Sequence, residues 1–466
     1  MSKTRSVSLT LLLLAVGLFG PAPTSAQPPK GPGKLPDFIP AGYDDYKTML
    51  DNLGIKKMRP GRNAGKGDTS AEATANPWKD SLPDLMTFKD GTRVTSADQW
   101  SNRRAEIIED FEREVYGRIP KNVPAVKWEV TETKEGTSGG TPTVTRTLVG
   151  TVDNSAFPKI TVAIRASYTV PKDAKGKVPI ILQFGFGGPG FGPKGGGTPW
   201  TDQAIARGWA HGSINPNTIQ PDSNRLREGI VGLTNKGEPR SPEDWGALRA
   251  WGWGVSKLVD YFEANPDSGV DPAKVCITGV SRYGKAALVA AAFDPRVAAA
   301  FVASSGAGGA KLFRRDFGEL LENLAGRGGY HWMCGNFLKY GADEATFGKK
   351  TVADLRVDQH ELIALCAPRP CLISYGIPEK GDPNWVDAHG SFMAAVLAGP
   401  AYRLLGKKDL GTAGEYLTEK MPAVNTLVGG ELAWRQHDGG HTNLPNFPTF
   451  FEWAGKYIST PGVEKK

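Results

Sequence analysis

The spacing of apolar residues changes character several times along the chain. Lys3 and Arg5 precede an apolar run from Leu11 to Phe19, which gives way to small residues ending at Ala26. A basic start, a short apolar middle and a small-residue end predict a signal peptide over 1–26, cut after Ala26. The run is shorter than the roughly 20 residues that span a bilayer, and Pro21 and Pro23 close it. No later segment is long and apolar enough to cross. The expectation is a secreted or periplasmic protein with no membrane segment once the signal is removed. Residues 27–80 read as an N-terminal extension or linker: "DYKTMLDNLGIKKM" has the pattern of one short helix, whereas "RPGRNAGKGDTSAEATANP" holds too little apolar surface to fold alone.

From residue 81 to 466 the pattern is that of one large domain. In "TSADQWSNRRAEIIEDFEREVYGRIP", Thr95 or Ser96 can cap a helix on which Trp100, Ile107, Phe111 and Val115 recur at near-helical spacing, and Pro120 ends it. Strands follow: "AVKWEVTETKE", "TPTVTRTLVG", "KITVAIRASYTV" and "VPIILQFGFGG" are β-branched or alternating and are separated by Gly, Pro, Asp and Asn. A helical pattern covers 240–263. It leads into the strand "KVCITGV", a helix after Ser281, and the strands "VAAAFVASS", "RPCLISYG" and "GELAWRQ", before the terminal helix "FPTFFEWAGKYI". Antiparallel strands at the front, then strand and helix alternating, predict an α/β fold whose sheet is covered on both faces.

Composition narrows the function. The formal charge is +7, or +5 without Lys3 and Arg5, and the basic residues are dispersed among acids. A nucleic-acid surface would need them clustered, so no nucleic-acid partner is expected. Cys276, Cys334, Cys366 and Cys371 form no CxxC or Cys/His cluster with zinc spacing, so no metal is expected. Cys276 and Cys371 lie in apolar runs and read as small buried hydrophobes. Histidines are scarce, which singles out His331, His360, His389, His437 and His441.

The window "CITGVSRYGKAAL" joins a buried strand to a helix at Ser281. Gly279 fits the first glycine of the GxSxG nucleophile turn, but Tyr283 occupies the place of the second, and Gly284 comes one position late. Ser281 is therefore either a helix cap or a nucleophile. A nucleophile needs a histidine to take its proton and a carboxylate to orient that histidine, following in the order Ser, acid, His. "CLISYGIPEKGDPNWVDAHG" supplies Asp382 and Asp387 after a strand, and "AWRQHDGGHTNLPN" supplies His437 and His441 after the last one. Gly439 and Gly440 can turn the His441 ring back towards the sheet edge, which favours it as the base. Arg282 can stabilise an oxyanion or pair locally on the helix surface; Lys285 lies one turn beyond Ser281 on the same helix face.

"GVSRYGKAALVAAAFDPRVAA" resembles the GxSRxGK signature of the glucuronoyl esterases, carbohydrate esterase family fifteen. "EDWGALRAWGWGVSKLVDYFE", "SSGAGGAKLFRRDFGE", "HWMCGNF", "RVDQHELIALCAPRPCLISYG" and "NWVDAHGSFMAA" extend the likeness in the family's order, over roughly 82–460. The resemblance implies an α/β-hydrolase three-layer sandwich with a mixed, mostly parallel central sheet. It also implies a secreted enzyme that needs no metal and cleaves esters joining lignin alcohols to 4-O-methyl-glucuronic acid branches of glucuronoxylan; a monomer without a cofactor is expected. By the same resemblance Ser281 is the nucleophile, Arg282 the oxyanion donor and His441 the base, while Lys285, Glu319 and Trp385 contact the sugar. Ser304 stands where many members carry a catalytic glutamate. The acid then falls to Asp382, near the family's tryptophan, with Asp387 in reserve. His331 resembles a structural or cleft-lining histidine. Two rivals stay open: an esterase of the same fold acting on acetylated xylan, and a carbohydrate-binding protein without catalysis.

Overall fold

A computed structural model of the chain describes residues 35–64, 71–185 and 198–460. The predicted signal peptide, the end of "VPIILQFGFGG" and the glycine-rich stretch after it lie outside the described residues. Residues 35–43 form a short run of turns closed by Ile39 N–H to Pro36 O and Tyr43 N–H to Pro40 O. The α/β unit starts at Asp44.

Its strands are β1 (Ile55–Met58), β2 (Val126–Ser138), β3 (Thr141–Val152), β4 (Ala163–Pro171), β5 (Val178–Phe184), β6 (Ala210–Ile214), β7 (Val270–Val280), β8 (Val297–Ala303), β9 (Ala342–Ala345), β10 (Cys371–Tyr375), β11 (Val428–Gly429) and β12 (Leu432–Gln436). Ten of them form one sheet in the order β11-β12-β10-β8-β7-β5-β6-β4-β3-β2. The run β12-β10-β8-β7-β5-β6 is parallel, and β4, β3, β2 and β11 are antiparallel. The sheet is thus mixed and mostly parallel at its centre, as expected. The parallel strands are apolar on both faces: every residue of β10 is buried. At the antiparallel edge β2 is exposed over most of its length. There Lys127, Glu129, Glu132, Lys134 and Glu135 discourage pairing with another chain.

Helices cover both faces. On one, the helix Phe447–Ala454 places Phe447 and Phe450 against Phe301 of β8, with Ile181, Cys276, Leu372 and Ala433 in the same cluster. On the other, Phe392 of the helix Ala388–Leu404 meets Trp434 of β12 edge-on, and Gly252 of Ala247–Ala264 approaches Ala290 of Arg282–Phe293. This completes the three layers. All four cysteines are buried and unpaired.

Three local differences have physical causes. The helix expected over 240–263 starts only at Ala247, because Arg240 is drawn into the interior, where it donates to Met333 O and Tyr330 O. The helix capped by Ser96 runs from Ala97 to Phe111, widens into a π turn and stops at Gly117 (φ 85°), ahead of Pro120. The polar stretch after β1 is held by charge rather than by apolar burial. Arg59 pairs with Glu322, Arg62 with Asp316 and Glu72 with Arg315, while the Asp316 N–H donates to the carbonyl of fully buried Ala75. Just before it, the helix Asp45–Leu53 buries Tyr46 and Met49, and β1 pairs with β9.

His360 carries a pH-dependent share of stability. Burial pushes its imidazole down to about 4. Nε2 lies 3.1 Å from Pro83 O, and buried Nδ1 has no hydrogen-bond partner, so protonation would bury an unsatisfied N–H. The unfolded chain takes up this proton near the ordinary value of 6.5. Stability is therefore present above that pH and is lost as pH falls towards 4, by on the order of 3 kcal/mol. Because buried Glu361 and His211 also titrate over this range, the share is read as a difference: in urea titrations between pH 7 and 4, His360→Gln should lose on the order of 3 kcal/mol less stability than the unaltered protein.

Candidate active site

Ser281 sits between β7 and the helix Arg282–Phe293 with φ 61° and ψ −129°, backbone angles that residues bearing a side chain seldom adopt. Its N–H donates to Ala303 O of β8 at 3.0 Å, and its carbonyl accepts from Lys285 N–H at 3.0 Å. A Cβ on Gly279 would lie 2.2 Å from Tyr283 O, and one on Gly284 would lie 2.5 Å from Ala303 O. These are the two crowded points of the turn, which is why tyrosine is tolerated at 283 and the second glycine falls at 284. The Ser281 hydroxyl makes no capping bond to the helix. The strained turn exposes a hydroxyl instead of finishing a helix.

The next strands deliver the partners. Asp382, in the loop after β10, is 2% exposed. Its Oδ1 lies 2.7 Å from His441 Nδ1, and its Oδ2 accepts from Gly376 N–H and from Ser304 Oγ, each at 2.6 Å. The loops after β10 and β12 touch along their backbones: Ile377 N–H donates to Gly439 O at 2.9 Å, and a Cβ on Gly440 would stand 2.3 Å from Lys380 O. The second loop then returns across the sheet, where Asn443 Nδ2 donates to Thr278 Oγ1 of β7 at 3.2 Å, three residues before Ser281. His437 shapes that loop from within. Its Nε2 lies 2.9 Å from Thr442 O and its Nδ1 accepts from Gly439 N–H at 3.0 Å, so both ring nitrogens are engaged. Asp387 is engaged elsewhere: it caps the helix Ala388–Leu404 through Gly390 N–H and pairs with fully buried Arg315.

Arg282 does not pair along its own helix. Its Nη1 donates to Asp222 Oδ2 at 2.7 Å, and its guanidinium lies 5.8 Å from the centre of the Trp332 ring. Lys285 is 3% exposed and its three donors are all used, on Ser305 O (2.7 Å), Ala307 O (2.6 Å) and Glu319 Oε2 (2.6 Å). Burial lowers its ammonium from the ordinary lysine range, against the pull of Glu319. The Glu319 N–H donates to Trp385 O at 2.8 Å, so Lys285, Glu319 and half-buried Trp385 form one connected group. His331 turns its Nε2 to Asp222 Oδ1 at 2.9 Å.

Sequence reasoning missed Asp222 and Trp332, and saw in Ser304 only the absence of an acid. Asp222 lies in an irregular stretch with no periodic signal, whereas Trp332 was present in "HWMCGNF" beside the histidine.

A strained serine at a strand-to-helix turn, with a histidine–carboxylate pair on the loops of two parallel strands of the same sheet, defines an α/β hydrolase of the serine-esterase class. The family described as glucuronyl esterase, fungi, matches residues 238–406. Carbohydrate esterase MZ0003, from an unknown prokaryotic organism, is 33% identical over 83% of this chain and 91% of its own length. The solved CE15 glucuronoyl esterase of Teredinibacter turnerae is 37% identical, with a TM-score of 0.80 over 88% of this chain and 98% of that one. The 4-O-methyl-glucuronoyl methylesterase 1 of Wolfiporia cocos is 29% identical over 71% of this chain and 73% of its own. The chain belongs to carbohydrate esterase family 15, the glucuronoyl esterases, and is a serine esterase of that type. Among the described residues no helix is long and apolar enough to cross a membrane.

The buried Lys285–Glu319 pair gives a stability test. Lys285→Met leaves the largely buried Glu319 carboxylate without its cation and is expected to destabilise the fold by roughly 3 kcal/mol, read from urea denaturation.

Proposed function

We propose that the enzyme hydrolyses the ester between 4-O-methyl-glucuronic acid branches of glucuronoxylan and lignin alcohols, with Ser281 as nucleophile, His441 as base and Asp382 as acid. His441 Nε2 takes the Ser281 proton as the oxygen attacks the uronoyl carbonyl, forming a tetrahedral oxyanion. Arg282 and backbone N–H groups hold that negative charge. The oxyanion collapses, the C–O bond to the alcohol breaks, and His441 returns the proton to the leaving oxygen. Water then attacks the acyl-enzyme by the same sequence, and the uronic acid and free serine result.

The observation that carries the assignment is the 2.7 Å contact between His441 Nδ1 and Asp382 Oδ1, on a carboxylate whose other oxygen accepts from Gly376 N–H and Ser304. Such a carboxylate fixes the imidazole tautomer and stabilises the imidazolium. The esterified uronate is neutral, so Arg282 meets charge only as the transition state forms. Glu319 accepts a sugar hydroxyl through Oε1, which makes no hydrogen bond among the described residues, and Trp385 offers its ring to the sugar. On this reading Lys285 acts by fixing Glu319. The basic, apolar and small-residue order of residues 1–26 supports export, to the compartment where such a substrate is found.

Ser281→Ala should abolish hydrolysis of a methyl glucuronate ester while thermal unfolding stays near wild type; retained turnover would refute the nucleophile. The two aspartates should separate by readout. Asp382→Asn should lower kcat by about 10²–10⁴-fold, whereas Asp387→Asn should mainly lower Tm. A glucuronate ester and an acetyl ester assayed side by side should favour the glucuronate, and preference for the acetyl ester would replace the substrate.

A further inference from the structure

Asp222 stands 60 residues before Arg282, just beyond the turn Pro216–Thr218, and its N–H donates to Asn217 Oδ1 at 2.8 Å. Its carboxylate gathers donors from two other segments. Arg282 Nη1 reaches Oδ2 at 2.7 Å, while His331 Nε2 and Trp332 Nε1 reach Oδ1 at 2.9 and 2.7 Å. Burial opposes ionisation of this carboxyl, but the hydrogen bond from His331 and the charge of Arg282 outweigh it and hold the group well below the usual carboxylate range.

A carboxylate that merely balanced the Arg282 charge would leave its second oxygen free to turn. Here two rigid rings hold that oxygen, so the carboxylate cannot follow the guanidinium. Arg282 keeps 37% of its side chain exposed, and its Nε and Nη2 make no hydrogen bond among the described residues. A long flexible side chain beside the nucleophile is thus held by one nitrogen, with the other two left for the cleft.

We propose that Asp222 is a positioning residue that acts through Arg282, with His331 and Trp332 as its rigid support, pre-setting the guanidinium for the oxyanion. This rests on Arg282 being the oxyanion donor. Asn at 222 keeps the size but offers one acceptor oxygen and turns an –NH2 towards the donors.

With a methyl glucuronate ester, Asp222→Asn should lower kcat by roughly tenfold to a hundredfold, short of the loss of a whole oxyanion donor, and leave KM within about threefold. In an Arg282→Ala background the same change should cost no more than about twofold, because coupled residues are not additive. A purely structural role would instead give losses that multiply in the double variant, and that result, or wild-type kcat in Asp222→Asn, overturns the proposal. A second test leaves Asp222 intact: guanidinium ion added to Arg282→Ala should restore turnover saturably, and ammonium ion should not. Absence of rescue, or equal rescue by both ions, overturns the positioning role while a low kcat in Arg282→Ala still supports the oxyanion reading. Full activity in Arg282→Ala overturns both.

Discussion

One buried carboxylate, Asp382, ties together the ends of three neighbouring parallel strands. Its oxygens meet Ser304 at the end of β8, the Gly376 N–H at the end of β10, and the His441 ring from the loop after β12. A carboxylate removed from water is costly to keep charged unless its lone pairs are filled. Here each filling contact comes from a different part of the chain, so satisfying the charge and building the histidine–acid pair are the same event. Ser304 fits this scheme as a donor: where an acidic side chain could stand, a hydroxyl instead directs an acid from the next strand.

The serine side of the site depends on strain rather than charge. The left-handed backbone at Ser281 is held by its bonds to Ala303 and Lys285 and by close packing at Gly279 and Gly284. The regular structure on either side supports it: a strand buried in the sheet interior leads in, and an alanine-rich helix of high intrinsic propensity leads out. With its hydroxyl uncommitted to the helix, the residue is available for chemistry.

Around these two elements the cleft is arranged by paired charges that reach across the fold. Asp222 restrains Arg282 from one side, and Lys285 restrains Glu319 from the other, with Trp332 near both cations. In each pair one partner is tightly held and the other keeps unused hydrogen-bonding atoms. The buried or surrounded groups fix geometry, and the groups with spare donors or acceptors are left to meet a ligand. The polar N-terminal stretch is secured by the same kind of contact through Arg59, Arg62 and Glu72, and so becomes part of the unit without an apolar core of its own.

What the sequence by itself determined was whatever rests on neighbours in the chain. The order of the main strands and helices from residue 95 onward, the serine at the turn and the family signature around it all follow from periodicity, turn chemistry and short motifs. The family resemblance favoured Asp382 with Asp387 in reserve; tertiary structure alone decided that Asp382 meets His441 at 2.7 Å, that Asp387 holds Arg315, that Lys285 spends its donors on the protein, and that Asp222 reaches Arg282. The strands β1, β9 and β11 are too brief for a periodic signal, and β6, though as long as β10 and β12, reads Ala-His-Gly-Ser-Ile, with no apolar run to mark it. The reason is physical: apolar spacing records the burial of one element, whereas a carboxylate's partner is chosen by which loops the sheet order brings within 3 Å, and nothing local to Asp382 or Asp222 encodes that order.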